Sequence, residues 1–282
     1  MAAYLRLTGL PAPQDVAFGI ATAVTGDQVH MTNHHWSFSI DALRKSIGAE
    51  RLRVLNDFEA LAHAVPALTI ADRIAVGGGQ SLPGATMAVI GPGTGLGVSG
   101  LVADGDGGWR VIVGEGGHVT LPAANAREAS LLAVLRERFG HVSAERALSG
   151  PGLVNLYEAT CVLGGRPAAT LEPAQVIARA FSDGGGKDAQ PDTQCIEAVT
   201  TFGALLGNVA GNLALTLGAR GGVFIGGGIV PRLGERFRQL PFRARFEDKG
   251  RFRSYLEPIP TWVITAESPA LLGAARALDA AP

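Results

Sequence analysis

Two apolar runs in this chain end in clusters of glycine, and that arrangement constrains the fold more than any other feature. Residues 86–90 lead into Gly91-Pro92-Gly93-Thr94-Gly95-Leu96-Gly97, which opens a second apolar run over 95–103. Val223-Phe224-Ile225 leads into Gly226-Gly227-Gly228 and then a helical stretch. Short continuous apolar runs suit strands buried on both faces. Glycine at their ends marks tight turns and places where something approaches bare backbone. The 39 glycines follow no strict period, which excludes a collagen-like chain.

Strand, turn and helix signals alternate along the chain. Residues 16–24 (VAFGIATAV) read as a buried strand, Gly26-Asp27 as a turn, 28–33 as a short strand, and 39–47 as a helix capped by Ser39. Residues 52–55 are a strand ending at Asn56-Asp57, followed by a helix over 58–65 that Pro66 stops. DGDGG at 104–108 is a hairpin signal, with 109–113 as the returning strand. Helices are expected at 126–139, 149–160, 173–181, 196–217, 231–239 and 269–278, and strands at 222–225 and 262–265. This is the pattern of an α/β fold with a parallel element. At 282 residues the chain is long enough for about two domains.

Composition removes several classes of function. A net charge of -1 argues against a nucleic-acid surface or a polybasic membrane contact. Cys161 and Cys195 match no CxxC spacing, and a reducing cytoplasm is their natural compartment. Residues 198–219 carry no charge, and Gly203, Gly207 and Gly211 follow GxxxG spacing. The same stretch holds Thr200, Thr201, Asn208, Asn212 and Thr216, which a lipid-facing span would leave poorly satisfied. The expectation is a buried helix whose glycines admit a neighbouring strand, and no membrane partner.

Four constellations could carry chemistry. The GPGTGLG turn offers successive backbone N–H groups and the Thr94 hydroxyl to phosphate oxygens, or is a plain hairpin turn; it fits neither GxxxxGK[ST] nor GxGxxG. Lys187 follows Gly186 but precedes Asp188, so no Walker motif lies there. Gly226-Gly227-Gly228 could let a flat ligand such as an adenosine lie near a helix N-terminus, or could be a close-packed β–α corner. Asp57 at a strand end is either a general base for a hydroxyl or the cap of the helix at Phe58. Gly114-Glu115-Gly116-Gly117-His118 sets a carboxylate and an imidazole on a glycine-rich turn that suits a polyhydroxylated ligand. His118 has no further residue at metal-ligand spacing, so no metal site is expected. His30, His34 and His35 read as surface or core histidines.

Together these pieces closely resemble bacterial ATP-dependent glucokinase, in the hexokinase and actin-like ATPase superfamily. The resemblance runs from about 16 to 274 and rests on MTNHHWSFSI, LNDFEALAHAVPAL, GPGTGLGVS, GEGGHVTLP, GHVSAERALSGPGLVNLYEA, GNLALTLGARGGVFIGGGIVPR, FRARFEDKGRF and SPALLG. ROK-type sugar kinases are less similar, because their cysteine-rich zinc motif after the GxxH segment is missing. The resemblance implies a two-domain ribonuclease-H-like fold, with a small domain over 1–67 plus 267–282 and a large one over 68–266. It implies transfer of the ATP γ-phosphoryl group, with Mg²⁺, to the 6-hydroxyl of glucose in glycolysis, and a homodimer. Asn56 and Asp57 would bind glucose with Asp57 as base; Glu115, His118 and Glu145 would hold its other hydroxyls. Gly93, Thr94 and Gly95 match the second phosphate loop, and Gly226, Gly227 and Gly228 the adenosine site. The family's opening DxGGT phosphate loop does not occur in this chain. The expectations that follow are a small domain incomplete at its N-terminus, a start inside the first helix, and a poor kinase or none. Two rival readings are a non-catalytic sugar-binding remnant and a kinase for another hexose or N-acetylmannosamine.

Overall fold

The computed structural model describes residues 2–31, 35–182 and 191–279. The end of the strand expected at 28–33, His34 and Gly186-Lys187 lie outside them. A helix α1 (Ala2–Thr8) is followed by β1 (Asp15–Ile20), β2 (Gln28–His30), β3 (Ser37–Ser39), α2 (Ile40–Ile47), β4 (Arg51–Asn56) and α3 (Asp57–Ala64). Then come β5 (Arg73–Ala75), β6 (Met87–Pro92), β7 (Leu96–Ala103), β8 (Trp109–Gly114), α4 (Ala126–Phe139), α5 (Gly150–Leu163), α6 (Pro173–Ala180) and α7 (Thr193–Leu217). The remaining elements are β9 (Gly222–Ile225), α8 (Val230–Leu233), α9 (Phe242–Glu247), α10 (Arg253–Leu256), β10 (Thr261–Ile264) and α11 (Pro269–Asp279).

A six-stranded sheet in the order β5-β10-β9-β6-β7-β8 dominates. Its centre is parallel (β10, β9, β6), and β5, β7 and β8 run antiparallel to their neighbours. Every residue of β6 and β9 is buried, which is why those runs are apolar without alternation. Successive side chains still divide between two cores. Ala88, Ile90, Val223 and Ile225 pack with α4, α5 and α7, whereas Met87, Val89 and Phe224 pack with Leu61 and Ala62 of α3 and with Val65 just after it. A separate parallel pair, β1-β4, packs on α3 and α11 through Leu55, Ala60, Ala274 and Ala277. Between these two helices Gly273 lies so close to the Ala60 carbonyl that any side chain there would overlap it.

Local signals account for most boundaries. The Ser39 hydroxyl accepts from Ala42 N at 3.1 Å, capping α2, and Gly48 ends it at φ 70°. The Asp104 carboxylate accepts from Asp106 N (3.0 Å) and Gly108 N (2.8 Å), closing the β7–β8 turn. The helix expected over 231–239 is instead broken: Gly234 at φ 55° separates the short α8 from a 3₁₀ run, Gly234–Gln239. The strand expected over 16–24 stops at Ile20. Helix α7 has the length and composition of a membrane span but is mostly buried within the protein. Contrary to the expectation, its glycines do not face a strand; they seat α9 and its approach. A side chain at Gly203 would meet Leu240, and side chains at Gly207 and Gly211 would meet the Phe242 and Phe246 carbonyls.

Candidate active site

Asn56 closes β4 and caps α3. Its Oδ1 accepts from Phe58 N at 2.8 Å and Glu59 N at 3.4 Å, while its Nδ2 donates to the Thr22 carbonyl at 3.2 Å. The capping role that the sequence left open for Asp57 therefore belongs chiefly to Asn56, although the Asp57 carboxylate also accepts from Phe58 N at 3.0 Å. Half-buried Asp57 has its carboxyl pKa raised, first by burial and further by the negative charge of Glu115. A carboxylate moved that way is a better proton acceptor for a hydroxyl.

Glu115 follows β8, and His118 ends a 3₁₀ turn, Gly116–His118. Their Oε2 and Nε2 atoms are 4.0 Å apart and both side chains are exposed. The turn lies flat on β7, since a side chain at Gly117 would overlap the Leu96 carbonyl. Just beyond it, Ala144 N donates to the Val119 carbonyl at 2.9 Å, and Thr120 bridges to Ser143. Those bonds bring in Glu145, on the 3₁₀ turn Ala144–Arg146. Its Oε2 accepts from Leu96 N at 2.8 Å. Sequence spacing gave no sign of this bond, which ties one of the expected site carboxylates to the glycine hairpin.

GPGTGLG is a hairpin: Pro92 pairs with Leu96, and Gly93 N donates to the Gly95 carbonyl at 2.8 Å. That bond removes the Gly93 N–H from the expected phosphate nest. Exposed Thr94, with its hydroxyl, stands at the tip. Because β6 and β9 are parallel neighbours, the Gly93–Gly95 and Gly226–Gly228 segments leave the sheet side by side at its carboxyl end, where open α/β sheets bind ligands. Ile229 N reaches the Pro92 carbonyl at 3.2 Å, and a side chain at Gly228 would meet nothing within 4 Å. The helix after these glycines has only four residues, so the bare backbone, not a helix end, is the usable feature. Asp57, Phe58, Gly226, Gly227, Thr265 and Ala266 line one cleft of about 310 Å³.

The placement of one expected helix escaped the sequence reading. The N-terminus of α5, capped by Ser149, abuts the hairpin, and Gly150 N donates to the Gly93 carbonyl at 2.8 Å. The cap signal was visible, but which turn it would face was not. Among the described residues no group of three or more His, Cys, Asp or Glu side chains could hold a metal ion.

The family profile described as Glucokinase matches residues 1–281. The chain belongs to the glucokinase family. A glucokinase from Aromatoleum aromaticum is 57% identical over 278 residues, covering 98% of this chain and 82% of the relative. A crystal structure of glucokinase from an Antarctic psychrotroph superposes with a TM-score of 0.87 at 36% identity, over 99% of this chain and 84% of that one. A Balamuthia mandrillaris glucokinase solved in complex with glucose shares the fold, with a TM-score of 0.79 at 20% identity, over 98% of this chain and 80% of that one. The glucokinase-family chain thus has the two-domain actin-like ATPase fold expected of a sugar kinase that transfers phosphate to an alcohol group.

Proposed function

We propose that this glucokinase-family chain binds glucose between Asn56, Asp57, Glu115, His118 and Glu145, and that Asp57 takes the proton of the 6-hydroxyl as its oxygen attacks the γ-phosphorus of ATP. The O–P bond to ADP then breaks, giving glucose 6-phosphate and ADP. The observation that carries this reading is that half-buried Asp57, with its raised pKa, lines the same cleft as Gly226 and Gly227. Gly93, Thr94 and Gly95 would face the phosphates and Gly226–Gly228 the adenosine. Mg²⁺ bound to the nucleotide would supply neutralisation of the phosphate charge. Charged acceptors on several hydroxyls give sugar selectivity, because an analogue lacking one leaves a site group unpaired.

The lobes would divide at 1–67 plus 267–282 and 68–266, with the cleft between them; the shared packing of β1, β4, α3 and α11 supports that division. A cytoplasmic setting fits the two buried free thiols. A homodimer fits the open edge of β8, where Ile112 and Val113 are exposed. The base assignment is tested by Asp57→Ala. It should lower kcat by roughly 10²–10⁴-fold while glucose affinity falls far less. Retention of more than a tenth of the wild-type kcat would refute it.

A further inference from the structure

The first turn of α3 is anchored to the six-stranded sheet through a slot that two glycines leave open. A side chain at Gly97 would overlap the Phe58 ring. One at Gly91 would stand 2.7 Å from the Phe58 Cζ and 2.6 Å from the Gly226 carbonyl carbon. The ring is therefore held between the two strands of the GPGTGLG hairpin and the turn after β9. A second anchor is polar: buried Ser99, on β7, donates its hydroxyl to the Phe58 carbonyl at 3.0 Å. Phe58 directly follows Asp57, and both sit on the same helical turn. Rotating that turn by one side chain's width would swing the carboxylate out of the cleft.

We infer that Phe58 is a positioning residue, whose ring, seated against Gly91 and Gly97, fixes the Asp57 carboxylate where the 6-hydroxyl of glucose must meet it. Two glycines at the base of the hairpin, whose tip is assigned to the phosphates, thus serve the sugar side of the site. The inference rests on Asp57 contacting the 6-hydroxyl, so its test must separate the two ideas.

The experiment is calorimetric titration of the full chain with glucose and with 6-deoxyglucose, which lacks only that hydroxyl. Wild-type protein should prefer glucose by about ten-fold or more, the worth of a charge-assisted hydrogen bond. Gly97→Ala and Phe58→Ala should each reduce the preference below about three-fold, with 6-deoxyglucose affinity unchanged. The double variant should be no worse than either single one, because both act through one contact. If both sugars weaken equally, or the preference survives in the variants, the positioning role is overturned. Phe58→Leu, which keeps apolar bulk in the slot at lower risk to folding, should retain more of the preference than Phe58→Ala; equal loss in both, or a preserved preference in Gly97→Ala, refutes the inference. Asp57→Ala is the control. If it leaves the preference intact, the reading of Asp57 itself fails, whatever the slot variants do.

Discussion

Replacing Gly95 by alanine places a methyl group in overlap with the Glu145 Oε2 and 3.3 Å from its Cδ. Backbone conformation does not oppose the change, since Gly95 is not among the glycines at positive φ. The carboxylate, at the end of a flexible side chain, is what must yield, and it gives up its 2.8 Å bond to Leu96 N. Leaving that N–H unpaired beside a buried residue costs about 1–3 kcal/mol. At roughly 2–4 °C per kcal/mol for a chain approaching this size, the melting midpoint should fall by about 2–12 °C. The displaced carboxylate should also lose its bond to the sugar, worth about 1.5–3 kcal/mol, so the KM for glucose should rise roughly 10–150-fold. The KM for ATP should stay within about three-fold, although the residue sits in a loop matched to phosphate binding. Steady-state kinetics with each substrate varied in turn, beside a thermal melt, makes the comparison. A raised ATP KM with an unchanged glucose KM would show that the hairpin tip does not position Glu145.

Two further predictions concern protonation. Because Glu115 adds to the burial that raises the Asp57 pKa, Glu115→Gln should move the acidic limb of kcat/KM for glucose to lower pH; a limb that stays in place denies the coupling. His63 is half-buried and its pKa is lowered, first by burial and then by the charges of Arg53 and Arg276. Its stabilising contribution is present above the unfolded value near 6.5 and is lost as pH falls through the lower folded value. The melting midpoint should therefore drop on acidification below about pH 6.5, and His63→Gln should flatten that drop; an equal slope in the variant refutes the assignment.

Much of the candidate site was legible because its residues sit on short local signals. Asn56-Asp57 at a strand end, Glu115 and His118 on a glycine turn, and the two glycine clusters all announce themselves in a few residues. The bonds that assemble them do not. Leu96 N to Glu145 spans 49 residues, and the Phe58 carbonyl to Ser99 spans 41, so neither leaves a periodic trace. The GxxxG spacing of α7 correctly indicated a close approach, but of a strand where α9 is found, because α9 is only six residues long, too short to register a helical period. The break at Gly234 was misread because the flanking residues favour a helix and a lone glycine is often tolerated in one.

The packing of α11 on α3 carries a consequence for the order in which the protein is made. Gly273 presses on Ala60, Arg51 donates to the Leu278 carbonyl at 3.2 Å, and Arg53 donates to that of Ala277. The face that holds β1, β4 and Asp57 is therefore covered by a segment translated more than 200 residues later. At about 5–20 residues per second, α3 waits roughly 10–40 s on the ribosome before its partner is synthesised. Throughout that interval the large sheet can form around β6, β7 and β8 while Leu55 and Ala60 remain uncovered. Synthesis of α11 thus completes the wall that carries the proposed base, and a nascent chain still short of it can hold its glycine hairpin in place before it holds Asp57.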